Sequence, residues 1–93
     1  MSTIKSLVKE QGATVIDVRQ SWEYSDGHVE GALNIPLDEI PNRVSEIKAM
    51  HQPVIVYCRS GSRSGMAAGI LQQMGLDTVI NGGGLGDMQI QLM

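Results

Sequence analysis

The sequence predicts an α/β fold, a three-layer sandwich in which helices cover both faces of a mostly parallel central sheet. Short apolar segments rich in β-branched residues alternate along the chain with segments whose apolar residues recur every three or four positions. The segment 53–57, Pro-Val-Ile-Val-Tyr, is continuously apolar, which is typical of a strand that helices bury on both faces. A chain of 93 residues, 42 % hydrophobic and 18 % charged, has the size and composition of one globular domain, and we expect that domain to span residues 1–93.

The predicted elements follow one another without a linker, an internal repeat or a low-complexity segment. The first half begins with a helix over residues 3–10, a strand over 13–18 and a turn or single helical turn over 20–27. A short strand over 31–36 and a helical stripe over 37–47, interrupted by Pro41, follow. The second half consists of a strand over 53–57, a helix from about 62–64 to a stop at Gly75, a strand over 77–80 and an amphipathic turn over 85–92. Strands that alternate with helices favour a parallel sheet. We also expect the methionines at 66 and 74 to pack in the core, and Trp22 and Tyr24 to form a lid or core packing.

The composition disfavours several classes of partner. The net charge is −3 and no basic block is present, which makes nucleic acid an unfavourable partner. No apolar run approaches the roughly 18–20 residues of a membrane span, and the first dozen residues lack the apolar stretch of an export signal. We therefore expect no membrane partner and a cytoplasmic location, or a periplasmic one if a signal segment was removed.

The number and spacing of the cysteine and histidine residues argue against a disulfide and a metal site. The single cysteine, Cys58, cannot form an internal disulfide. His28 and His51 lie far apart and have no acidic or thiol neighbours at ligand spacing, so no metal site is predicted. Nothing in the composition indicates an oligomeric state.

Cys58 lies directly after the apolar strand, in the segment YCRSGSRS (residues 57–64). A loop between a strand end and a helix start surrounds the thiol with backbone amides and the positive end of the helix dipole, and Arg59 and Arg63 add two positive charges. Such surroundings lower the pKa of a thiol from about 8.5 to roughly 3.5–7.5. We predict a thiolate nucleophile in an anion-binding loop, in preference to a buried structural cysteine. The candidate site comprises the catalytic residue Cys58 and the loop residues Arg59, Ser60, Gly61, Ser62 and Arg63.

The polar residues and glycines outside the cysteine loop are predicted to have supporting or structural roles. Asp17 and Arg19, at the end of the first strand, are candidate supporting residues that either orient the loop or form a strand-end ion pair, with the ion pair slightly favoured. His28 is interpreted as a turn histidine bonded to backbone. No Lys-Ser/Thr follows the glycines at 82–84, so we predict a hinge packed beside the cysteine loop instead of a phosphate loop.

Two chemistries use a thiolate in a loop of this kind. A cysteine phosphatase needs five residues between the cysteine and the arginine, whereas four residues separate Cys58 from Arg63. The missing residue shortens the loop by roughly 3.5 Å, and the tighter loop suits a sulfur atom better than a phosphoryl group. Tyr57 stands where many such phosphatases have histidine. The spacing favours sulfur chemistry and leaves a phosphatase or arsenate reductase as the lesser alternative.

Two long segments carry a family resemblance. VIDVRQSWEYSDGHVEGALNIPL (residues 15–37) and VIVYCRSGSRSGMAAGILQQMGLDTVINGGG (54–84) together resemble a rhodanese, a single-domain sulfurtransferase. The loop CRSGSR is similar to the Cys-Arg-x-Gly-x-Arg form associated with thiosulfate use, and the ending GGGLGD most resembles the small phage-shock-protein-E branch.

The resemblance implies a rhodanese-like sandwich and a mechanism. Cys58 would take the outer sulfur of thiosulfate as a persulfide and pass it to cyanide or a thiol acceptor, without a metal or organic cofactor. Arg59 and Arg63 would attract and orient the anionic donor. A persulfide carrier in a sulfur relay is the alternative from a different functional class.

Overall fold

The computed structural model describes residues 3–93, and a four-stranded parallel sheet with the strand order β2-β1-β3-β4 lies at its centre. The strands are β1 (Thr14–Asp17), β2 (Leu33–Asn34), β3 (Val54–Cys58) and β4 (Val79–Gly84). The helices are α1 (Ile4–Lys9), α2 (Ser21–Ser25), α3 (Val44–Lys48), α4 (Ser62–Gln73) and α5 (Leu85–Gln91), with a 3₁₀ helix at Leu37–Asn42.

Each face of the sheet carries its own apolar core, and β3 separates the two. Val54 and Val56 point into the cluster covered by the 3₁₀ helix, α3 and α4. Ile55 and Tyr57 point into the opposite cluster, which α1 and α5 cover. Because side chains alternate between the faces of a strand, one continuously apolar segment supplies both cores. The predicted three-layer α/β sandwich is confirmed.

The last strand is longer than the sequence indicates. The prediction ended it at residue 80, but β4 continues through Gly84 and pairs with β3 as far as Cys58. The predicted hinge at 82–84 is therefore wrong, because these glycines belong to a strand. The expectation of close packing beside the cysteine loop is confirmed, since a Cβ built on Gly84 would overlap the carbonyl oxygen of Arg59. The absent side chain is what lets β4 approach the loop.

The predicted core position of the two methionines is wrong. Met66 and Met74 are 60 % and 45 % exposed, because α4 turns a face of small residues toward the sheet and the methionines lie outside it. The buried side chains of α4 are Ser64, Ala67, Ala68 and Leu71. Trp22 is 67 % exposed, so the core alternative predicted for it is wrong, while the lid alternative stays a prediction. Alanines at the contact let a helix lie close to a sheet, which favours the observed orientation of α4.

Smaller differences concern element lengths. The predicted helical turn over 20–27 is α2, and the predicted stripe over 37–47 divides into the 3₁₀ helix, which contains Pro41, and α3. Proline removes an amide donor and favours such a division. Within residues 3–93, no helix combines the length and the apolar character needed to cross a membrane.

Replacing Gly84 by alanine should destabilise the protein by about 1–3 kcal/mol, because the added methyl group must displace the backbone of the cysteine loop. Gly69 is the matched control: it lies in α4 with open space around its Cα, so Gly69→Ala should stabilise by up to about 1 kcal/mol. Urea unfolding of the three proteins measures both changes. Equal stability of the two variants would contradict the close approach of β4 to the loop.

Candidate active site

Cys58 is the last residue of β3, and the chain turns sharply after it into α4. Gly61 makes the turn possible with a φ of +100°, a conformation that suits glycine, and α4 begins at the next residue. The Cys58 sulfur accepts hydrogen bonds from the amide of Gly61 at 3.0 Å and from the amide of Ser64 at 3.4 Å. The hydroxyl of Ser64 also lies 3.4 Å from the sulfur. The predicted amide-lined loop around the thiol is therefore present.

Opposing influences act on the pKa of the Cys58 thiol. Burial raises the pKa, while hydrogen bonds from the Ser64 hydroxyl and from the amides of Ser64, Ser60 and Gly61 lower it, and the net change is downward. Cys58 is completely buried, so these hydrogen bonds act away from bulk water, where they are strongest. The arrangement stabilises a thiolate over a thiol.

Asn81 of β4 anchors the far side of the loop. Its side-chain amide donates to the carbonyl oxygen of Gly61 at 3.1 Å, and its Oδ1 accepts from the Ser64 hydroxyl at 2.7 Å. Oδ1 also accepts from the amide of Gly83 at 3.0 Å. The sequence-based prediction missed Asn81 and Ser64. The available signal was position, since Asn81 precedes the glycines at the carboxyl edge of the sheet and Ser64 lies one residue beyond the predicted loop.

Arg63 forms an ion pair with Glu23 of α2. Two parallel hydrogen bonds of 2.7 and 3.0 Å join its guanidinium group to the two carboxylate oxygens. The hydrogen bonds from Arg63 lower the pKa of Glu23 to about 2, against the cost of burying the carboxylate. This pair ties the cysteine loop to α2 and occupies the guanidinium group that was expected to orient an anionic donor. No spacing rule predicts a contact with Glu23, because it is 40 residues away from Arg63.

Asp17 and Arg19 form the predicted strand-end ion pair beneath the loop. The Arg19 side chain binds both carboxylate oxygens of Asp17, with a shortest distance of 2.7 Å, and donates to the carbonyl oxygen of Gly27 at 2.7 Å. The Tyr57 hydroxyl donates to Asp17 at 2.8 Å and accepts from the Val29 amide at 3.0 Å. This network joins β1, β3 and the segment after α2, so it supports the floor of the site.

A cleft of about 330 Å³ lies beside the loop at the carboxyl edge of the sheet. Its lining residues are Arg19, Glu23, Asp26, Gly27, Arg59, Leu85 and Gly86. Within residues 3–93, the Arg59 guanidinium has no carboxylate partner within ion-pair distance. Arg59, Ser60 and Ser62 are exposed, whereas Arg63 and Gly61 are partly buried. Of the two loop arginines, Arg59 is thus the one that forms no ion pair, although the carboxylates of Glu23 and Asp26 line the same cleft.

His28 lies outside the cysteine loop. His28 is confirmed as a turn histidine, since its Nδ1 lies 2.8 Å from the carbonyl oxygen of Tyr24 and its ring stacks on the Tyr24 ring. Over residues 3–93, no group of three or more histidine, cysteine, aspartate or glutamate side chains is arranged to hold a metal ion.

Comparison with known proteins identifies relatives of this chain. The family model described as the rhodanese-like domain matches residues 1–88. The chain is 45 % identical over 74 residues to the thiosulfate sulfurtransferase PspE of Escherichia coli (strain K12), which covers 78 % of this chain and 71 % of that protein. It is 35 % identical over 72 residues to the putative sulfur carrier protein YrkF of Bacillus subtilis (strain 168), covering 77 % of this chain but only 38 % of that protein.

Solved structures agree with the fold. A rhodanese with anions from E. coli superposes with a TM-score of 0.74 at 43 % identity, covering 81 % of this chain and 89 % of that one. The human single-domain sulfurtransferase TSTD1 superposes with a TM-score of 0.79 at 22 % identity, covering 95 % and 90 % of the two chains. The second likeness concerns the fold alone.

The Glu23–Arg63 pair should make stability depend on pH in acid. The folded-state pKa of Glu23, about 2, lies below its ordinary value of 4.5, so the pair stabilises the fold fully above about pH 4.5 and loses this contribution as the pH falls toward 2. Glu23→Gln should flatten the dependence of the unfolding free energy on pH in that window. Glu46→Gln, which removes an exposed pair with Arg43, is the matched control and should change the pH dependence of stability much less than Glu23→Gln, because solvent screens an exposed pair. Identical pH profiles for wild type and Glu23→Gln would contradict the proposed coupling.

Proposed function

Because the chain belongs to the rhodanese-like domain family, we propose that it is a thiosulfate sulfurtransferase that works through a persulfide on Cys58. The observation that carries the proposal is the Cys58 sulfur at the end of β3, which accepts hydrogen bonds from two loop amides and a hydroxyl. The 45 % identity to a thiosulfate sulfurtransferase of E. coli supports the choice of donor.

In the first half-reaction, the Cys58 thiolate attacks the outer sulfur of thiosulfate. A bond forms between the two sulfur atoms, the bond from the outer sulfur to the sulfonate sulfur breaks, and its electron pair leaves with sulfite. The protein then holds an anionic persulfide, and the total charge is unchanged. The lowered pKa of Cys58 supports this step, because the thiolate is the nucleophilic form of cysteine.

In the second half-reaction, cyanide or a thiolate acceptor attacks the outer sulfur of the persulfide. The bond between the outer sulfur and Sγ breaks, and its electron pair returns to Sγ as the thiolate. Two half-reactions that share one covalent intermediate give ping-pong kinetics. The chain has a single cysteine, so an external acceptor must discharge the persulfide.

Arg59 is the residue we assign to donor binding. It lines the cleft and, among residues 3–93, has no ion-pair partner, whereas Arg63 is bound to Glu23. A guanidinium group binds the oxygens of a sulfonate by charge-assisted hydrogen bonds. Arg63 then acts on the reaction indirectly, by holding the loop against α2.

A persulfide carrier is the second candidate function. Two carboxylates, those of Glu23 and Asp26, line the same cleft as Arg59 and disfavour a small dianion. The likeness to the putative sulfur carrier of B. subtilis also supports this candidate. A carrier would turn over thiosulfate slowly and take up sulfur rapidly from a partner protein that presents a persulfide.

Incubation of the reduced protein with thiosulfate should add the mass of one sulfur atom, and later addition of cyanide should remove it and release thiocyanate. Cys58→Ser should abolish both events, since serine cannot form the persulfide. Intact-protein mass spectrometry and a thiocyanate assay measure the two steps. Absence of an adduct on the wild-type protein would overturn the proposal, and Cys58-dependent hydrolysis of an aryl phosphate would favour the phosphatase alternative. Rapid uptake from a persulfide-bearing cysteine desulfurase, with slow thiosulfate turnover, would favour the carrier.

Arg59→Ala should raise the KM for thiosulfate by about tenfold or more, as expected when a hydrogen bond to a charged group is lost. The rate of cyanide attack on the preformed persulfide should change much less, because sulfonate is absent from that step. Lys48→Ala, on α3 and outside the cleft, is a control for the loss of one positive charge. An unchanged KM in Arg59→Ala would contradict the assignment of donor binding to Arg59.

A further inference from the structure

The Ser64 hydroxyl has one hydrogen and three acceptors within reach. Ser64 is completely buried, and its Oγ lies 2.7 Å from Asn81 Oδ1, 3.4 Å from Cys58 Sγ and 3.5 Å from the carbonyl oxygen of Gly83. A hydroxyl group donates one hydrogen bond at a time. The three contacts are therefore alternatives for the single hydroxyl hydrogen.

Asn81, which accepts the shortest of these hydrogen bonds, is fixed in position by other contacts. Its side-chain amide is fixed by donation to the Gly61 carbonyl oxygen at 3.1 Å, and its Oδ1 accepts from the Gly83 amide at 3.0 Å. The position of Oδ1 does not depend on Ser64, and Oδ1 keeps a donor when the hydroxyl turns away. Exchange of the hydroxyl between acceptors leaves no buried polar group unpaired, which is the condition for a low-cost rearrangement.

We propose that Ser64 is a further catalytic residue, whose hydroxyl donates to Cys58 Sγ when the sulfur is anionic and to Asn81 Oδ1 when the sulfur is neutral. Asn81 is its positioning residue. The inference rests on the proposed function, because the persulfide cycle is what makes the charge of Sγ alternate.

Each half-reaction changes the partner of the hydroxyl. When Sγ bonds to the outer sulfur of the donor, its charge moves to the outer sulfur and the hydroxyl turns to Asn81. When the acceptor removes the outer sulfur, the electron pair of the broken bond returns to Sγ and the hydroxyl turns back. The proton stays on the Ser64 oxygen throughout. Ser64 thus stabilises the Cys58 thiolate as the leaving group of the second half-reaction.

Few charged groups compete with this interaction. The loop side contributes Arg59 and Arg63; the guanidinium group of Arg63 is held on Glu23 and also attracts an anionic Cys58 sulfur. From α5, the Asp87 carboxylate lies beside Gly83 and accepts from the Gly84 amide. β4, which packs on the other side, has the sequence VINGGG and contributes no charge. Arg63 is the charged residue in the sequence of α4. Removal of the Ser64 hydroxyl, a buried donor to the sulfur, therefore changes no charge in the site.

Ser64→Ala should affect the two half-reactions differently. Loss of the donor makes the thiolate more basic, so the midpoint of Cys58 alkylation by iodoacetamide should rise by about one pH unit. Above that midpoint the more basic thiolate should take sulfur from thiosulfate no more slowly than wild type, whereas discharge of the persulfide to cyanide should slow by roughly threefold to tenfold, because a more basic thiolate is a poorer leaving group. Stopped-flow measurement of each half-reaction gives both rates.

Control variants separate this role from a structural one. Ser64→Thr keeps the hydroxyl and should restore the alkylation midpoint and the discharge rate, while Ser45→Ala, on an exposed position of α3, should leave both unchanged. An unchanged midpoint in Ser64→Ala, or equal slowing of uptake and discharge, would overturn the proposal. The second result would mean that the serine only maintains the shape of the loop.

Two further measurements keep the proposal testable by other routes. Alkylation uses no thiosulfate, so a wild-type protein that takes up no sulfur would overturn the proposed function and still leave the donation of Ser64 to the thiolate measurable. If Ser64→Ala does not fold, crystal structures of the reduced wild-type protein above and below the thiol midpoint answer the question. Ser64 Oγ should lie nearer Sγ at the higher pH, and an unchanged position would overturn the proposal.

Discussion

The hydrogen bond from the Gly61 amide to the Cys58 sulfur is the interaction on which the rest of the site depends. It exists because the chain turns within three residues from a strand to a helix, at a glycine with a φ of +100°. The turn alone would not stay in place, because a glycine-containing loop is costly to order. Asn81 holds the Gly61 carbonyl oxygen, and the side-chain-free backbone of Gly84 packs against Arg59. The glycines of β4 are thus part of the site, although none of them bears a functional group.

Two arginines near the site, Arg19 and Arg63, are held in ion pairs. Arg19 is committed to Asp17 and Arg63 to Glu23, and both carboxylates are buried. A buried carboxylate is tolerated only with such partners. These pairs connect the cysteine loop and the floor of the cleft to α2 and to the segment that follows it. Among the arginines of residues 3–93, Arg59 is the one in no ion pair, so the proposed function gives donor binding to Arg59 and loop rigidity to Arg63.

Anion stabilisation at the sulfur comes mainly from neutral groups. The groups that lower the pKa of Cys58 are the Ser64 hydroxyl and backbone amides, while burial acts in the opposite direction. Neutral donors at fixed positions can stabilise a thiolate without binding it so tightly that its reactivity is lost, and they cost little reorganisation when charge moves. A buried, amide-lined sulfur therefore suits a cycle in which the same atom is alternately a nucleophile and a leaving group.

Local signals in the sequence predict the layers of the fold and the centre of the site. The apolar segment before Cys58 fixed a doubly covered strand, and the small and charged residues after it indicated an anion-binding loop, because both signals are local in the chain. Tertiary packing brings together the groups that are far apart in the chain. Glu23 lies 40 residues from Arg63, and Asn81 lies 17 residues from Ser64. No spacing rule relates such residues, since their contact depends on strand order and on the register shift between β3 and β4. For the same reason, the helical spacing of Met66 and Met74 predicts core positions for both. Packing of α4 on its alanines instead leaves them exposed.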